Sequence, residues 1–230
     1  MLELNVKQHR LERIDKSVRI MLENFPIILG GGAVRDACFG DPIVDYDIFF
    51  IRNPSSGDIN FNFQDYLNRP SNLARGNGVF DEQLGPIDNY IRSQGFYLTF
   101  ACPAGELYSY SKVVAGIDAV PDRTVKIQLI CKQAYYDAED LLENFDFNAT
   151  RFAISSVNTQ KVVTDMRAVR DVHNKKLTVN KITYPSSSIN RLYKYRNKGY
   201  YVGDAIKTIV QSIANMGPLY DELEDTLYVD

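Results

Sequence analysis

The sequence predicts an α/β (α+β) fold, with a small mixed sheet, flanking helices packed on one face, and a short C-terminal helical neck. Three observations support this class. Residues 9–24 have the apolar spacing of a helix, residues 27–29 form a short buried run that stops at three glycines, and residues 44–51 alternate as a strand does. Helical and strand patterns therefore follow one another along the chain, as they do in mixed domains.

The remaining elements follow from the same patterns. Further helices are expected at residues 33–39, 81–93, 138–154, 189–198 and 204–215. Further strands are expected at residues 96–102, 107–114, 125–131 and 161–164. Residues 52–80 are rich in Asn, Ser, Gly, Arg and Pro and predict an extended loop. We divide the chain into a head at 1–165 and a short helical neck with an acidic tail at 166–230.

The composition fits a globular domain with a sizeable core. The chain has 230 residues, with 26 Lys+Arg, 29 Asp+Glu and a formal net charge of −3. This balance argues against a protein that coats nucleic acid, which is usually basic, and restricts RNA binding to a local basic patch. Three cysteines without a CxxC pair and two histidines argue against a disulfide scaffold or a zinc site. Metal chemistry would therefore use carboxylates.

Neither a membrane segment nor a signal peptide is expected. No apolar run approaches the roughly 20 residues of a membrane span, and charged and apolar residues are mixed throughout the N-terminal segment. The sequence therefore predicts a cytoplasmic protein without a membrane partner. The compact build suggests a viral or otherwise streamlined protein, and a viral one would lie in the cytoplasm of the host.

A glycine turn lies close in sequence to a pair of carboxylates. Three glycines at 30–32 precede the second helix, and Asp45 and Asp47 alternate with bulky residues on the next strand. Glycines before a helix allow a phosphate to approach backbone N–H groups and the positive end of the helix dipole. Two carboxylates on one strand face suit a hard cation such as Mg²⁺ (or Mn²⁺), which bridges triphosphate oxygens in phosphoryl transfer.

These two features together resemble a known family. The segment GGAVRD at 31–36, followed by DYDIF at 45–49, is similar to the head domain of the DNA polymerase β-type nucleotidyltransferase superfamily. Within it, the similarity points to the branch of tRNA CCA-adding enzymes and bacterial poly(A) polymerases. The resemblance implies a metal-dependent transferase that uses a nucleoside triphosphate (NTP), such as ATP, as its substrate.

The resemblance also implies roles for individual residues. Gly31 and Gly32 would face the triphosphate and bind it through their N–H groups. Asp45 and Asp47 would be the catalytic carboxylates and the metal ligands. Arg35 matches the same signature and would support and shape the nucleotide pocket.

Two later segments extend the resemblance. The stretch NFDFNA at 144–149 is similar to a family motif in which an Asn holds the nucleotide, which implies that role for Asn148. A helix-capping or core-satisfied amide is an equal alternative there. The segment 191–200 is similar to the basic helix after the head, so Arg191 and Lys194 would contact the triphosphate or RNA. As a bare charge run, this segment could also be a solvated face.

One departure from the family concerns a third carboxylate on a neighbouring strand. The strand that corresponds to it here, within 125–131, offers Lys126 and Gln128 instead. Asp146 could substitute if the fold brought it near the metal.

The sequence therefore predicts an enzyme that moves an NMP from an NTP to a hydroxyl acceptor, an RNA or tRNA 3′ end. One alternative is a nucleotide- or RNA-binding or protein-interaction module that has lost turnover. The other is NMP transfer to a protein or small-molecule hydroxyl.

Overall fold

The computed structural model describes residues 1–51, 79–102, 105–115, 121–156 and 160–216. Within these ranges, eight strands form one mixed sheet, accompanied by eight helices and one 3₁₀ turn, Asn148–Thr150. The strands are β1 (Leu2–Asn5), β2 (Ile27–Gly30), β3 (Asp45–Ile51), β4 (Tyr97–Ala101), β5 (Leu107–Val114), β6 (Arg123–Tyr135), β7 (Phe152–Ile154) and β8 (Lys161–Thr164). The helices are α1 (Gln8–Leu11), α2 (Lys16–Asn24), α3 (Gly32–Phe39), α4 (Val79–Ser93), α5 (Ala138–Glu143), α6 (Met166–His173), α7 (Pro185–Asn197) and α8 (Gly203–Met216). The α/β class predicted from the sequence is confirmed.

The strand with the two carboxylates lies in the interior of the sheet. The strand order is β1-β8-β7-β2-β3-β6-β5-β4, so β3 has β2 on one side and β6 on the other. The β3–β6 pair is parallel, and the other neighbouring pairs of this sheet are antiparallel. Because both edges of β3 are hydrogen-bonded, the positions of its side chains are fixed by two neighbours.

Helices cover both faces of the sheet, so the prediction of helices on one face was wrong. Ile27 and Leu29 of β2 point into the larger apolar core, together with α2 and α3. Ile28, between them, packs in a second cluster with Leu141 and Leu142 of α5. Successive residues of a strand point to opposite faces, and the run at 27–29 is apolar at each position because both faces are buried.

Two predicted helices are divided in the structure. The helical pattern at 9–24 breaks after α1, and α2 starts anew with Asp15, whose side chain accepts a 2.9 Å hydrogen bond from the Ser17 N–H. The predicted helix at 138–154 ends at Glu143, and its last residues instead form β7 between β2 and β8. All three side chains of β7 are fully buried, which a strand with two neighbours and two covered faces requires.

Several boundaries also differ from the prediction. Strand β6 continues beyond the predicted end at 131. Helix α7 begins before its predicted start at 189, with Pro185, a residue favoured in the first helical turn. Neither β1 nor α6 was predicted from the sequence. Residues 52–78 of the predicted loop, and the tail from 217, lie outside the described residues, while 79–80 belong to α4. The division into head and neck at 165 stays a prediction. No helix of the described ranges is both long enough and apolar enough to cross a membrane.

Candidate nucleotide-binding site

Asp45 and Asp47 lie side by side on one face of β3. Tyr46 and Ile48, which alternate with them, are 2% and 0% exposed and belong to the larger apolar core. The two carboxylates therefore point to the opposite face, where Phe49 continues the row into the second apolar cluster. The sheet core thus holds the strand by its apolar side and presents both carboxylates on the other.

The glycine turn brings the backbone of Gly31 next to Asp47. Gly31 follows β2 with φ 78° and ψ −140°, a conformation that glycine adopts readily and other residues rarely do. A Cβ atom at this position would lie 3.7 Å from Asp47 Oδ2. The N–H of Gly31 donates to the Phe152 carbonyl at 2.8 Å, and its contact with phosphate stays a prediction. The start of α3 at Gly32 has no side-chain cap, and its role toward phosphate stays a prediction.

Helix α7 carries two basic side chains that pair with acidic residues of the site. Lys194 Nζ lies 3.6 Å from Asp45 Oδ2. One turn earlier, Arg191 donates to Asp146 Oδ2 at 2.7 Å, and the Ser188 hydroxyl donates to the same oxygen at 3.1 Å. The structure brings together seven of the predicted residues around one cavity: Gly31, Gly32, Arg35, Asp45, Asp47, Arg191 and Lys194.

An open cavity of about 250 Å³ lies between this face of the sheet and α7. Gly31, Gly32, Asp45 and Asp47 line one side of it. Its basic lining residues outnumber its acidic ones, although the whole chain has a net charge of −3. These basic residues are Arg35, Lys132, Lys181, Arg191, Lys194 and Lys198. The cavity is therefore suited to an anionic ligand.

Arg35 is one of the lining residues, but its side chain is bonded within the protein. Its side chain is 2% exposed, with hydrogen bonds of 2.6 Å to Asp36 and 2.7 Å to the Tyr195 hydroxyl. Burial by itself would lower the pKa of Arg35, but the neighbouring Tyr195 and Asp36 raise it above its usual value. Burial raises the pKa of the Tyr195 hydroxyl above its usual value. The charged guanidinium is thus committed to joining α3 to α7.

Asn148 is buried and does not line the cavity, although Asp146 and Thr150 on either side of it do, and its contact with a nucleotide stays a prediction. Asn148 is 3% exposed. Its amide nitrogen donates to Thr178 Oγ1 at 2.8 Å, and its amide oxygen accepts from Arg151 at 3.3 Å. Arg151 also forms an ion pair with Asp165. Both ends of the amide are satisfied within the fold, as in the alternative considered from the sequence.

The two carboxylates have the chemistry that a divalent cation requires. Mg²⁺ is usually held by one or two carboxylates together with substrate phosphates, and Asp45 and Asp47 provide two on one face. Within the described residues, no group of three or more His, Cys, Asp or Glu side chains is arranged to hold a metal. Asp146 is committed to Arg191 and Ser188, so it does not complete such a group.

Other residues of the cavity were not singled out from the sequence. Lys132 lies in the part of β6 beyond the predicted strand end, with its Nζ 3.7 Å from the centre of the Tyr184 ring. Lys181 donates to Asn144 Oδ1 at 2.9 Å. A longer predicted strand would have included Lys132 in the last part of β6. The segment that contains Lys181 and Tyr184 has no motif from which its place in the cavity could have been predicted.

The chain was compared with models of known protein families. The model of the Gabija anti-defense 2 (Gad2) family matches residues 2–175. Among curated proteins, none matches the sequence significantly.

Comparison with solved structures identifies CCA-adding enzymes. The Thermotoga maritima CCA-adding enzyme complexed with tRNA aligns with a TM-score of 0.53 at 14% identity, over 94% of this chain and 47% of its own. An apo CCA-adding enzyme aligns with a TM-score of 0.56 at 14% identity, over 95% and 47%. A complex of CCA-adding enzyme with ATP aligns with a TM-score of 0.53 at 15% identity, over 95% and 48%. The chain thus has a nucleotidyltransferase-like fold and spans about half the length of these structures.

Proposed function

Because the chain belongs to the Gabija anti-defense 2 family and has the fold of CCA-adding enzymes, we propose that it is a metal-dependent nucleotidyltransferase. It binds an NTP with Mg²⁺ or Mn²⁺ in the cavity between the sheet and α7. It then transfers the NMP to the hydroxyl group of an acceptor.

One observation carries this proposal. Asp45 and Asp47 meet the glycine turn on one side, where a Cβ on Gly31 would lie 3.7 Å from Asp47 Oδ2, and Lys194 of α7 on the other, 3.6 Å from Asp45. A triphosphate with a divalent cation needs close backbone, carboxylates and ammonium groups at one place. Separate structural roles for these residues would not require them to converge.

The reaction is a displacement at phosphorus. The oxygen of the acceptor hydroxyl forms a bond to the α-phosphorus, and the bond between this phosphorus and the α,β-bridging oxygen breaks. Pyrophosphate leaves with that electron pair, and the hydroxyl proton passes to solvent. Asp45 and Asp47 would hold the divalent cation, which neutralises phosphate charge. Lys194 and Arg191 would contact the phosphates, and the N–H of Gly32 would donate at the start of α3.

An RNA 3′ hydroxyl is the proposed acceptor. The aligned structures include a CCA-adding enzyme complexed with tRNA, and others with CTP and ATP. The basic residues of α7 supply a local surface for an RNA backbone. The name of the family connects its members with opposition to the Gabija defence. Adding a nucleotidyl group to a component of that defence would be one way to oppose it.

The test follows a radioactive label from the α-phosphate of each NTP. The protein is incubated with Mg²⁺ and either a tRNA pool or a cell lysate. The variant Asp45→Asn/Asp47→Asn is compared with Asp41→Asn/Asp204→Asn, which removes two carboxylates from exposed ion pairs. We expect label on RNA with the wild type and the control, and none with Asp45→Asn/Asp47→Asn. Label on protein would indicate that the acceptor is a protein hydroxyl and would contradict the RNA acceptor.

The second candidate is a nucleotide-binding module without turnover. Gln128 is the neighbour of Asp47 on the adjacent strand, where the resemblance implies a third carboxylate. This candidate would be favoured if the protein bound an NTP but transferred no NMP to any acceptor in a way that depends on Asp45 and Asp47. The same result would contradict the proposed enzyme.

A further inference from the structure

The two carboxylates have unusual neighbours on the adjacent strand. Strand β6 runs parallel to β3, with Lys126 beside Asp45 and Gln128 beside Asp47. Ile127, which lies between them, is 1% exposed in the larger apolar core. Lys126 and Gln128 therefore share the face of the sheet that carries Asp45 and Asp47.

Gln128 connects Lys126 to Asp47. With its amide oriented to match these neighbours, its nitrogen donates to Asp47 Oδ1 at 2.8 Å and its oxygen accepts from Lys126 Nζ at 3.1 Å. This orientation is assigned from the partners, because an ammonium group only donates and an ionised carboxylate only accepts. The Gln128 side chain is 4% exposed, so the connection is shielded from solvent.

The charges around the pair favour a single divalent cation. Lys194 lies 3.6 Å from Asp45 on the side of α7, and Lys126 contacts Gln128 on the side of β6. Two ammonium groups thus flank two carboxylates. Mg²⁺ requires oxygen ligands, but the amide oxygen of Gln128 already accepts from Lys126. A second divalent cation would meet ammonium charge in place of a carboxylate.

We propose that the carboxylate pair is a one-cation site, in which Gln128 is a positioning residue. Anchored by Lys126, Gln128 fixes the carboxylate of Asp47 toward the single cation that accompanies the NTP, and it leaves a second cation without a ligand. This inference rests on the proposed function and specifies its metal requirement.

The stoichiometry can be measured with Mn²⁺ by electron paramagnetic resonance, both alone and with a non-hydrolysable NTP analogue. The wild type should bind one Mn²⁺ in the cavity. Lys126→Ala/Gln128→Glu removes the ammonium group and adds a carboxylate beside Asp47, and it should bind two. The control is Gln94→Glu/Lys112→Ala, which makes the same two exchanges outside the cavity lining, at a pair where Lys112 Nζ donates to the backbone carbonyl of Gln94 at 2.6 Å. It should bind one.

A second variant tests positioning. Gln128→Leu keeps the volume of the side chain but removes its contacts with Asp47 and Lys126 and with the Ser109 hydroxyl, 3.3 Å away. The affinity for the single Mn²⁺ should therefore fall about tenfold, as for other residues that orient a metal ligand. Circular dichroism and the melting temperature establish that each variant is folded. Two Mn²⁺ ions in the wild type, or an unchanged affinity in folded Gln128→Leu, would overturn the inference.

The stoichiometry is read without turnover, which separates the two proposals. One bound Mn²⁺ without NMP transfer contradicts only the proposed enzyme. Transfer by a wild-type protein that holds two Mn²⁺ ions contradicts only the one-cation site.

Discussion

The guanidinium group of Arg35 donates a 2.7 Å hydrogen bond to the hydroxyl group of Tyr195, 160 positions later in the chain. The guanidinium carbon also lies 5.4 Å from the centre of the Tyr195 ring. Both side chains are buried. This contact holds α7, which carries Arg191 and Lys194, against α3, which begins at the glycine turn.

Tyr195→Phe should destabilise the fold. It removes the acceptor of a buried, charged donor while the ring keeps its packing, which costs about 1–3 kcal/mol. Urea unfolding should show the lower midpoint. Tyr193→Phe is the control, because Tyr193 lies on the same helix and is 65% exposed. Equal midpoints for the two variants would show that the contact contributes nothing to stability.

Gly31→Ala should reduce both stability and nucleotide binding. The backbone of Gly31 has φ 78°, a conformation that costs a residue with a Cβ about 1–3 kcal/mol. The new methyl group would also lie 3.7 Å from Asp47 Oδ2. Gly85→Ala is the control, since a Cβ there meets no atom within 4 Å. Calorimetric melting and titration with an NTP analogue measure the two effects, and a Gly31→Ala protein as stable as Gly85→Ala would contradict the strain.

Lys194→Ala should weaken NTP binding more than it affects folding. Loss of an ammonium–phosphate contact costs about 1.5–3 kcal/mol, or roughly a tenfold to hundredfold rise in Kd. The effect should shrink at high salt, which screens the contact. Lys207→Ala, an exposed lysine on α8, should leave Kd unchanged. Equal Kd values for the two variants in isothermal titration would remove Lys194 from the site.

The stability of the fold should fall at alkaline pH in part through Tyr135. Burial raises the pKa of Tyr135 from 10.0 to about 12. Because the pKa of Tyr135 is higher in the folded than in the unfolded protein, its neutral form stabilises the fold fully below pH 10. This contribution to the free energy of unfolding is lost as the pH rises toward 12. Tyr135→Phe keeps the edge-on contact with Phe49 and cannot ionise. Urea unfolding at pH 9 and at pH 11.5 should therefore show a smaller loss for Tyr135→Phe, by about 1–3 kcal/mol, and equal losses would refute the assignment.

The part of the site that lies on β3 could be predicted from the sequence. A strand has a period of two, so Asp45 and Asp47 share a face whatever surrounds them. A glycine run between a buried strand and a helix likewise indicates a turn near Gly31. These are local properties, which need no knowledge of distant residues.

The remaining contacts depend on tertiary packing. Three residues, as in β7, are too few to distinguish a strand from the end of a helix by periodicity. The polarity of Asn148 fits a ligand contact and an internal hydrogen bond equally well, and its hydrogen bonds with Thr178 and Arg151 depend on residues that its own segment does not specify. The contact between Arg35 and Tyr195 has no signal in either local segment.

The connection between distant segments also determines when the site is formed during synthesis. β1 can pair only after β8 has left the ribosome, and Tyr195 reaches Arg35 later still. Folds with such remote contacts form slowly and expose unpaired strands on the way. Until α7 docks, Asp45 lacks Lys194, so the nascent chain carries an incomplete cavity until α7 has been synthesised.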